Sequence, residues 1–250
     1  MRVYALFFLL VLVQKSLAEE ALVQFEEANQ FYRAGDYQKA ASAYEQILKN
    51  GYESASLYYN LGNAYFKTYN LPSAILYYER ALRLSPHDED VAYNLRLANL
   101  RVVDKIEPIP RLFFIEWWRS FVNIFSSGGW VVLGIVGLWC VVFSGAAFMI
   151  VHSIVLQRLT LFFAFIFVLV CLFSVIGTYQ RIQQEEDTRN AIVFASSVSV
   201  KSAPDRQSTD LFVIHDGVKV ELLDAIGDWK KIRLADGKVG WMPAESLQII

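Results

Sequence analysis

The stretch Trp130–Tyr179 reads WVVLGIVGLWCVVFSGAAFMIV (130–151), HSIVLQR (152–158) and LTLFFAFIFVLVCLFSVIGTY (159–179). Neither long segment contains Asp, Glu, Lys or Arg. Each is close to the ~20 residues that a helix needs to cross ~30 Å of hydrocarbon. The pair predicts two transmembrane helices, Trp130–Val151 and Leu159–Tyr179, joined by a short turn, His152–Arg158. Such a hairpin returns the chain to the side it came from. Trp130 and Tyr179 fall where an interfacial aromatic belt is expected. Cys140 and Cys171, the only cysteines, lie inside the two segments and read as small packing residues, with redox coupling as the alternative.

The composition agrees with a membrane protein. Of 250 residues, 55% are hydrophobic and 19% charged, more apolar than is usual for a soluble chain. The net charge of −2 offers no basic excess for a nucleic-acid partner. Two cysteines form no disulfide framework and no metal-ligand spacing. His87, His152 and His215 fall in a repeat-end turn, the interhelical turn and a β-domain loop, three regions that share no metal. No phosphate loop, zincin motif or nucleophile elbow is present in the sequence. Neither catalysis nor a cofactor is expected.

Met1–Ala18 combines Arg2, the apolar run Val3–Val13, a polar break and the ending Ser16-Leu17-Ala18. That is the layout of a secretory signal peptide; an uncleaved signal anchor is the alternative. Either way the residues after Ala18 are exported. The hairpin then enters from outside, turns in the cytoplasm and returns. Arg158 in the turn, against Arg119 and Arg181 at the outer ends, adds little to that orientation.

Residues 19–107 carry an internal repeat with the 34-residue period of tetratricopeptide helices. Ala28 matches Gly62, Phe31 matches Tyr65, Ala40 matches Ala74, Tyr44 matches Tyr78 and Ile47 matches Ala81. Pro86 closes the second copy, and the turn Gly35-Asp36-Tyr37 is expected to become Asn70-Leu71-Pro72. A third start at Glu89 predicts a capping helix, Asp88–Val103. Small residues let the two helices of a repeat approach, and aromatics fill the space between stacked pairs. The first helices then line a concave face with Phe25, Asn29, Tyr32, Tyr59, Asn60, Asn63, Phe66, Lys67, Tyr93 and Asn94. An amide there offers donor and acceptor to a peptide backbone, and aromatic walls offer apolar contact. The alternative is that Asn60 and Asn94 serve the repeat's own packing. Lys67, with Arg33 and Arg96, supplies the candidate cations.

Pro108 and Pro110 end the helical region. Arg111–Phe125 places Phe113, Phe114, Trp117, Trp118, Phe121 and Phe125 against Glu116, Arg119, Ser120 and Asn123. This predicts an amphipathic helix in the headgroup region, with packing on the C-terminal domain as the alternative. Ser126–Gly129 reads as a hinge, so 108–129 is the approach to the membrane.

Gln180–Asn190 reads as a solvated linker. From Ala191 the hydrophobic period becomes two, with strands expected at Ala191–Phe194, Val198–Lys201, Val218–Leu223, Trp229–Leu234 and Val239–Met242. Gly227-Asp228 and Asp236-Gly237 predict hairpin turns. The order Gly227-Asp228-Trp229, then Asp236-Gly237-Lys238-Val239-Gly240-Trp241-Met242-Pro243, resembles the bacterial SH3 (SH3b) domain. The resemblance implies a groove lined by Trp229, Trp241 and Pro243; packing in a small core is the alternative for both tryptophans.

The fold class expected is thus a multidomain membrane protein: an all-α tetratricopeptide repeat domain, two transmembrane helices and a small all-β SH3b-like barrel at 191–250. In that order the architecture resembles the BatE proteins of bacterial aerotolerance (Bat) operons. The resemblance implies an envelope complex whose partners include membrane-anchored von Willebrand A domain proteins and a MoxR-type ATPase. Two functions fit. One is a non-enzymatic scaffold of the bacterial inner membrane, with both soluble domains periplasmic. The other is a cell-wall sensor or targeting subunit whose SH3b domain binds peptidoglycan.

Overall fold

A computed structural model describes residues 20–110, 112–185 and 189–250. The signal-peptide segment Met1–Ala18, Arg111 and the acids Glu186 and Asp187 of the linker lie outside the described residues. The chain forms two compact units, Met1–Ile109 with Thr188–Ile250, and Pro110–Asp187.

The first unit opens with helices α1 (20–33), α2 (Tyr37–Lys49), α3 (Ala55–Lys67), α4 (Leu71–Leu84) and α5 (Glu89–Asn99). Their starts are capped by residues that sequence propensity favours. Ser54 accepts from the Leu57 amide at 3.1 Å, Asn70 from Ser73 at 3.3 Å and Asp88 from Val91 at 3.1 Å. The small-residue positions are fully buried: Ala28, Ala40 and Ala74 have no exposed surface. At Gly62 a Cβ would stand 2.7 Å from Cδ1 of Tyr78, so only glycine lets that ring lie flat on α3. The aromatic packing repeats with the sequence: Phe25 meets Tyr44 at 5.8 Å, and the equivalent pair Tyr59 and Tyr78 meets at 6.2 Å.

Two details differ from the sequence expectation. The turn of the first copy aligns with Tyr69-Asn70-Leu71, one residue earlier than expected. Gly35 has φ +83° and its equivalent Tyr69 has φ +63°, while Asp36 and Asn70 are the N-caps that follow. A tyrosine in the left-handed region costs about 1 kcal/mol, and nothing in its residue type announces the turn. The capping helix ends at Asn99 rather than Val103, and Val102 leaves it to enter the core.

The β domain has seven strands: β1 (Asn190–Val193), β2 (Ser197–Lys201), β3 (Asp210–His215), β4 (Lys219–Ile226), β5 (Trp229–Arg233), β6 (Val239–Pro243) and β7 (Leu247–Ile249). They form one antiparallel sheet in the order β3-β2-β6-β5-β4-β1-β7. Gly217, Gly227 and Gly237 make its turns with positive φ. Strands β3 and β7 escape the period-two reading. Asp210–His215 is an unbroken apolar run between polar ends, and β7 is only three residues long.

The repeats and the β domain share one hydrophobic core, which runs from Ala28 through Val102 to Ile192 and Met242. They are therefore not the separately tethered modules that a linker at 180–190 suggests. Lys219 pairs with Glu79 on α4 at 2.7 Å. Arg80 and Arg83, also on α4, donate to the backbone oxygens of Ile249 and Ile250, both at 2.7 Å. Asp104 accepts from the backbone amide of His215 at 2.7 Å and meets its Nδ1 at 3.1 Å. The Ile109 amide donates to Ala235 at 3.1 Å. Residues 100–109 thus run along the β domain instead of leading away from it.

The second unit contains α6 (Phe113–Val122), α7 (Ser127–Ile150) and α8 (Ile154–Glu185). Helices α7 and α8 are long and apolar enough to cross a membrane. The turn between them spans only 151–153, because Ile154–Arg158 already joins α8 with Gln157 holding the Val151 carbonyl at 2.8 Å. At its other end α8 runs through Gln180–Glu185, where Arg, Ile and Gln are all compatible with continued helix.

Small residues bring the two long helices together. A Cβ at Gly134 would lie 2.7 Å from Ser174 Oγ, and one at Gly177 would lie 2.6 Å from the Trp130 ring. Trp130 is consequently 2% exposed, packed between the helices instead of facing outward. Its Nε1 donates to the Val122 carbonyl at 2.9 Å, and its own carbonyl accepts from Ser174. Helix α6 packs on this hairpin through Phe121, 5.5 Å from Trp130, and through Trp118, which donates to Gln180 at 2.8 Å. Phe113, Phe114 and Trp117 remain exposed.

Candidate functional site

Asparagines bridge the first helices α1, α3 and α5. Asn29 Oδ1 accepts from Tyr44 at 2.6 Å and from Asn60 Nδ2 at 3.0 Å. One period later, Asn63 Oδ1 accepts from Tyr78 at 2.7 Å and from Asn94 Nδ2 at 2.9 Å. Asn94 also reaches the Tyr59 hydroxyl at 3.0 Å. The hydroxyl–amide–amide triad therefore repeats with the sequence. Asn60 and Asn94 do work in the repeat's own packing, and they keep a second capacity: among the described residues their Oδ1 atoms accept no hydrogen bond. A free acceptor beside aromatic walls suits the N–H of an extended chain.

The other expected residues are distributed along the same helices. Phe25, Tyr32, Tyr59 and Phe66 are half-buried, Lys67 is exposed and Tyr93 is 60% exposed. Tyr32 packs against Tyr37 with ring centroids 5.1 Å apart. A cavity of about 260 Å³ is lined by Asn29, Tyr32, Arg33, Tyr44 and Asn60. Burial raises the Tyr32 hydroxyl above its ordinary pKa and pushes Tyr44 up to about 12, so the network keeps its donors across the physiological range. Tyr65, on the far side of α3, is raised by burial and by its hydrogen bond to Glu45.

The β domain is joined to α4 through Arg80, Arg83 and Glu79, and to the segment after α5 through Asp104. Arg101 was not among the candidate cations, yet its guanidinium lies 4.3 Å above the Phe66 ring. Its signal was available in the sequence as the residue one period after Lys67. Arg96, by contrast, is an exposed residue near the end of α5.

On the β domain, strand register sets Pro243 directly opposite Trp229, with Ile226 on its other side. Ile226 is 52% exposed, and the tryptophan and proline are half-buried, so the three make an apolar row across β4, β5 and β6. Trp241 belongs to the next row. It is 8% exposed, with Lys231 Nζ 5.9 Å from its ring. His215, read in sequence as an ordinary loop histidine, instead clasps Asp104. Among the described residues no cluster of His, Cys, Asp or Glu has the geometry to hold a metal.

Residues 25–89 match the tetratricopeptide repeat model, and residues 196–248 match the bacterial SH3 domain model. No curated protein matches the chain. Both matched domain types typically serve protein–protein or cell-wall interaction rather than catalysis. The helices α7 and α8, long and apolar enough to cross a membrane, suggest that the chain carrying these two folds associates with one.

Proposed function

We propose that this protein is a non-enzymatic scaffold of the bacterial inner membrane that holds a peptide-binding groove and an SH3b domain on the periplasmic side to assemble an envelope complex of the aerotolerance type. The observation that carries the reading is the asparagine ladder of α1, α3 and α5, where the Oδ1 atoms of Asn60 and Asn94 accept no hydrogen bond among the described residues. Partner proteins enter as extended segments across α1, α3 and α5, while α7 and α8 anchor the groove to lipid. Helix α6 lies in the headgroup region, supported by its exposed Phe113, Phe114 and Trp117. The partners that the Bat resemblance supplies are von Willebrand A domain membrane proteins and a MoxR-type ATPase complex.

Affinity capture of the full chain from solubilised native membranes tests the scaffold. The double variant Tyr93→Ala with Lys67→Ala, both at exposed positions, is expected to lose most captured partner while its thermal unfolding is unchanged. Undiminished capture would remove the groove assignment. The apolar row Ile226, Trp229 and Pro243 favours a second reading, a cell-wall-binding subunit. Retention of the full chain on purified sacculi, abolished by Trp229→Ala, would select that reading.

The orientation rests on the signal-like segment Met1–Ala18 and on the pairing of α7 and α8, the two candidate spans among the described residues. An alkaline phosphatase reporter fused after Ile250 is expected to be active. Activity there of a reporter that works only in the cytoplasm would overturn the periplasmic placement.

A further inference from the structure

Helix α6 turns only half of its apolar arc toward the hairpin. Phe121 meets Trp130 and Phe173 with ring centroids 5.5 and 6.2 Å apart, and Trp118 donates to Gln180 at 2.8 Å. Phe113, Phe114 and Trp117 continue the same arc at helical spacing and are exposed, Phe113 by 84%. These contacts also fix the level of α6. Phe173 and Gln180 stand about 10 Å apart along α8, and Arg181 is the first charged residue after the apolar run of that helix. Helix α6 therefore lies beside the last turns of the run, where acyl chains meet headgroups. Leu172, Ile176 and Tyr179 of α8 are exposed at the same level, so α6 adds to an apolar surface that α8 already presents there. The polar face of α6 carries Glu116, Arg119, Ser120 and Asn123. One acid and one base leave it no net charge to draw it to anionic headgroups. At the other end of the hairpin the described residues offer only the turn 151–153.

We propose that α6 is a one-sided wedge through which the protein selects strongly curved membrane, with α6 in the convex leaflet. The proposal rests on the reading of α7 and α8 as spans and of α6 as interfacial, and adds the kind of lipid surface they select. Helix α6 has 10 residues. Such a helix is about 15 Å long and about 10 Å across, so lying flat it covers about 150 Å² of one leaflet, close to the area of two upright helices. The hairpin alone fills both leaflets equally. With α6 the protein takes up far more area in one leaflet than in the other. Convex curvature spreads the headgroups of the outer leaflet and opens gaps onto the acyl chains. Aromatic rings fill such gaps. Because the polar face is neutral, the gain comes from apolar insertion and not from charge, the balance that makes an interfacial helix sensitive to curvature. The bonds from Trp118 to Gln180 and from Trp130 to Val122 tie the wedge to the spans, so the preference belongs to the whole protein.

The full chain in giant phosphatidylcholine vesicles, from which narrow membrane tubes are drawn, tests this. A tag after Ile250, labelled by a dye that does not cross the bilayer, reports only molecules with α6 in the outer leaflet, since α8 leaves the bilayer at the α6 end. The protein signal relative to a lipid dye is expected to be at least about twofold higher in the tubes than on the vesicle. The triple variant Phe113→Ser, Phe114→Ser and Trp117→Ser is expected to bring that ratio to about one, and Trp117→Phe, which keeps a ring, to preserve the enrichment. Phe113→Ser alone, at the most exposed of the three, should give an intermediate ratio and covers the case of a triple variant that does not fold. Quenching of tryptophan fluorescence by brominated phosphatidylcholine separates placement from preference, because an interfacial Trp117 makes the parent more strongly quenched than Trp117→Phe. If Trp117 is quenched and the ratio is one, α6 is interfacial and the curvature preference falls. If the parent and Trp117→Phe are quenched alike, the placement falls and the preference with it. Equal enrichment of the parent and the triple variant would assign the preference to another part of the chain, and enrichment only after anionic lipid is added would assign it to charge; either result overturns the proposal.

Discussion

Tyr78→Ala is expected to destabilise the unit that holds the groove by about 3–5 kcal/mol, the range for removing a buried aromatic side chain. The ring is 1% exposed and lies across the Gly62 backbone, so its loss opens a cavity between α3 and α4 that no neighbouring Cβ can fill. The change also takes from Asn63 the hydroxyl that donates to it at 2.7 Å, leaving one donor, Asn94, on that oxygen. Tyr78→Phe keeps the ring and removes only the hydroxyl, so about 1 kcal/mol is expected from it. Circular dichroism melts of the purified full chain check both. A unit of this size loses roughly 2–4 °C per kcal/mol, which puts the alanine variant about 10 °C below the parent. Equal melting temperatures for the alanine and phenylalanine variants would show that the ring is not the keystone between the repeats.

The second large effect is expected at the seam. Gly217→Val places a β-branched residue at φ +83°, with its Cβ 3.0 Å from Val102 Cγ2 and 3.2 Å from Ile75 Cδ1. Backbone strain and overpacking each cost about 1–3 kcal/mol. The repeats and the β domain melt together as long as they share one core. In the variant the β domain is expected to separate from α4, exposing residues 100–109 to protease. Limited proteolysis of the full chain reads this as new cleavage in that segment at a concentration that leaves the parent intact. A variant as resistant as the parent would mean that the two folds are joined only by their surface contacts. Because Arg80, Arg83 and Lys219 hold the same seam, their single alanine variants should give smaller changes.

The repeats were legible in sequence because the period is written in buried residues. Ala28, Gly62, Tyr44 and Tyr78 have few substitutes that fit the same space, so type and position survive together. The asparagine ladder was visible as recurring letters, but its partners were not, since Asn29, Asn60 and Tyr44 meet only after the helices stack. The turn at Tyr69 was misplaced by one residue because a left-handed conformation normally announces itself with glycine. The seam was illegible for a different reason. Glu79, Arg80, Asp104, His215 and Lys219 are residue types that usually stay in water, and their pairing depends on chain segments more than 100 positions apart. The burial of Trp130 was hidden in the same way, since only Gly177 across the hairpin creates the slot that takes its ring.

The central claim is that the groove between α1, α3 and α5 receives a partner protein. Its most direct test is a photo-crosslinking amino acid placed at Tyr93, the most exposed of the groove aromatics, in the full chain expressed in living cells. The account predicts discrete protein adducts on irradiation, and none when the same probe is placed at Tyr69, an exposed tyrosine at the turn after α3 and outside the groove. Adducts confined to lipid, or the same protein adducts from both positions, would contradict it.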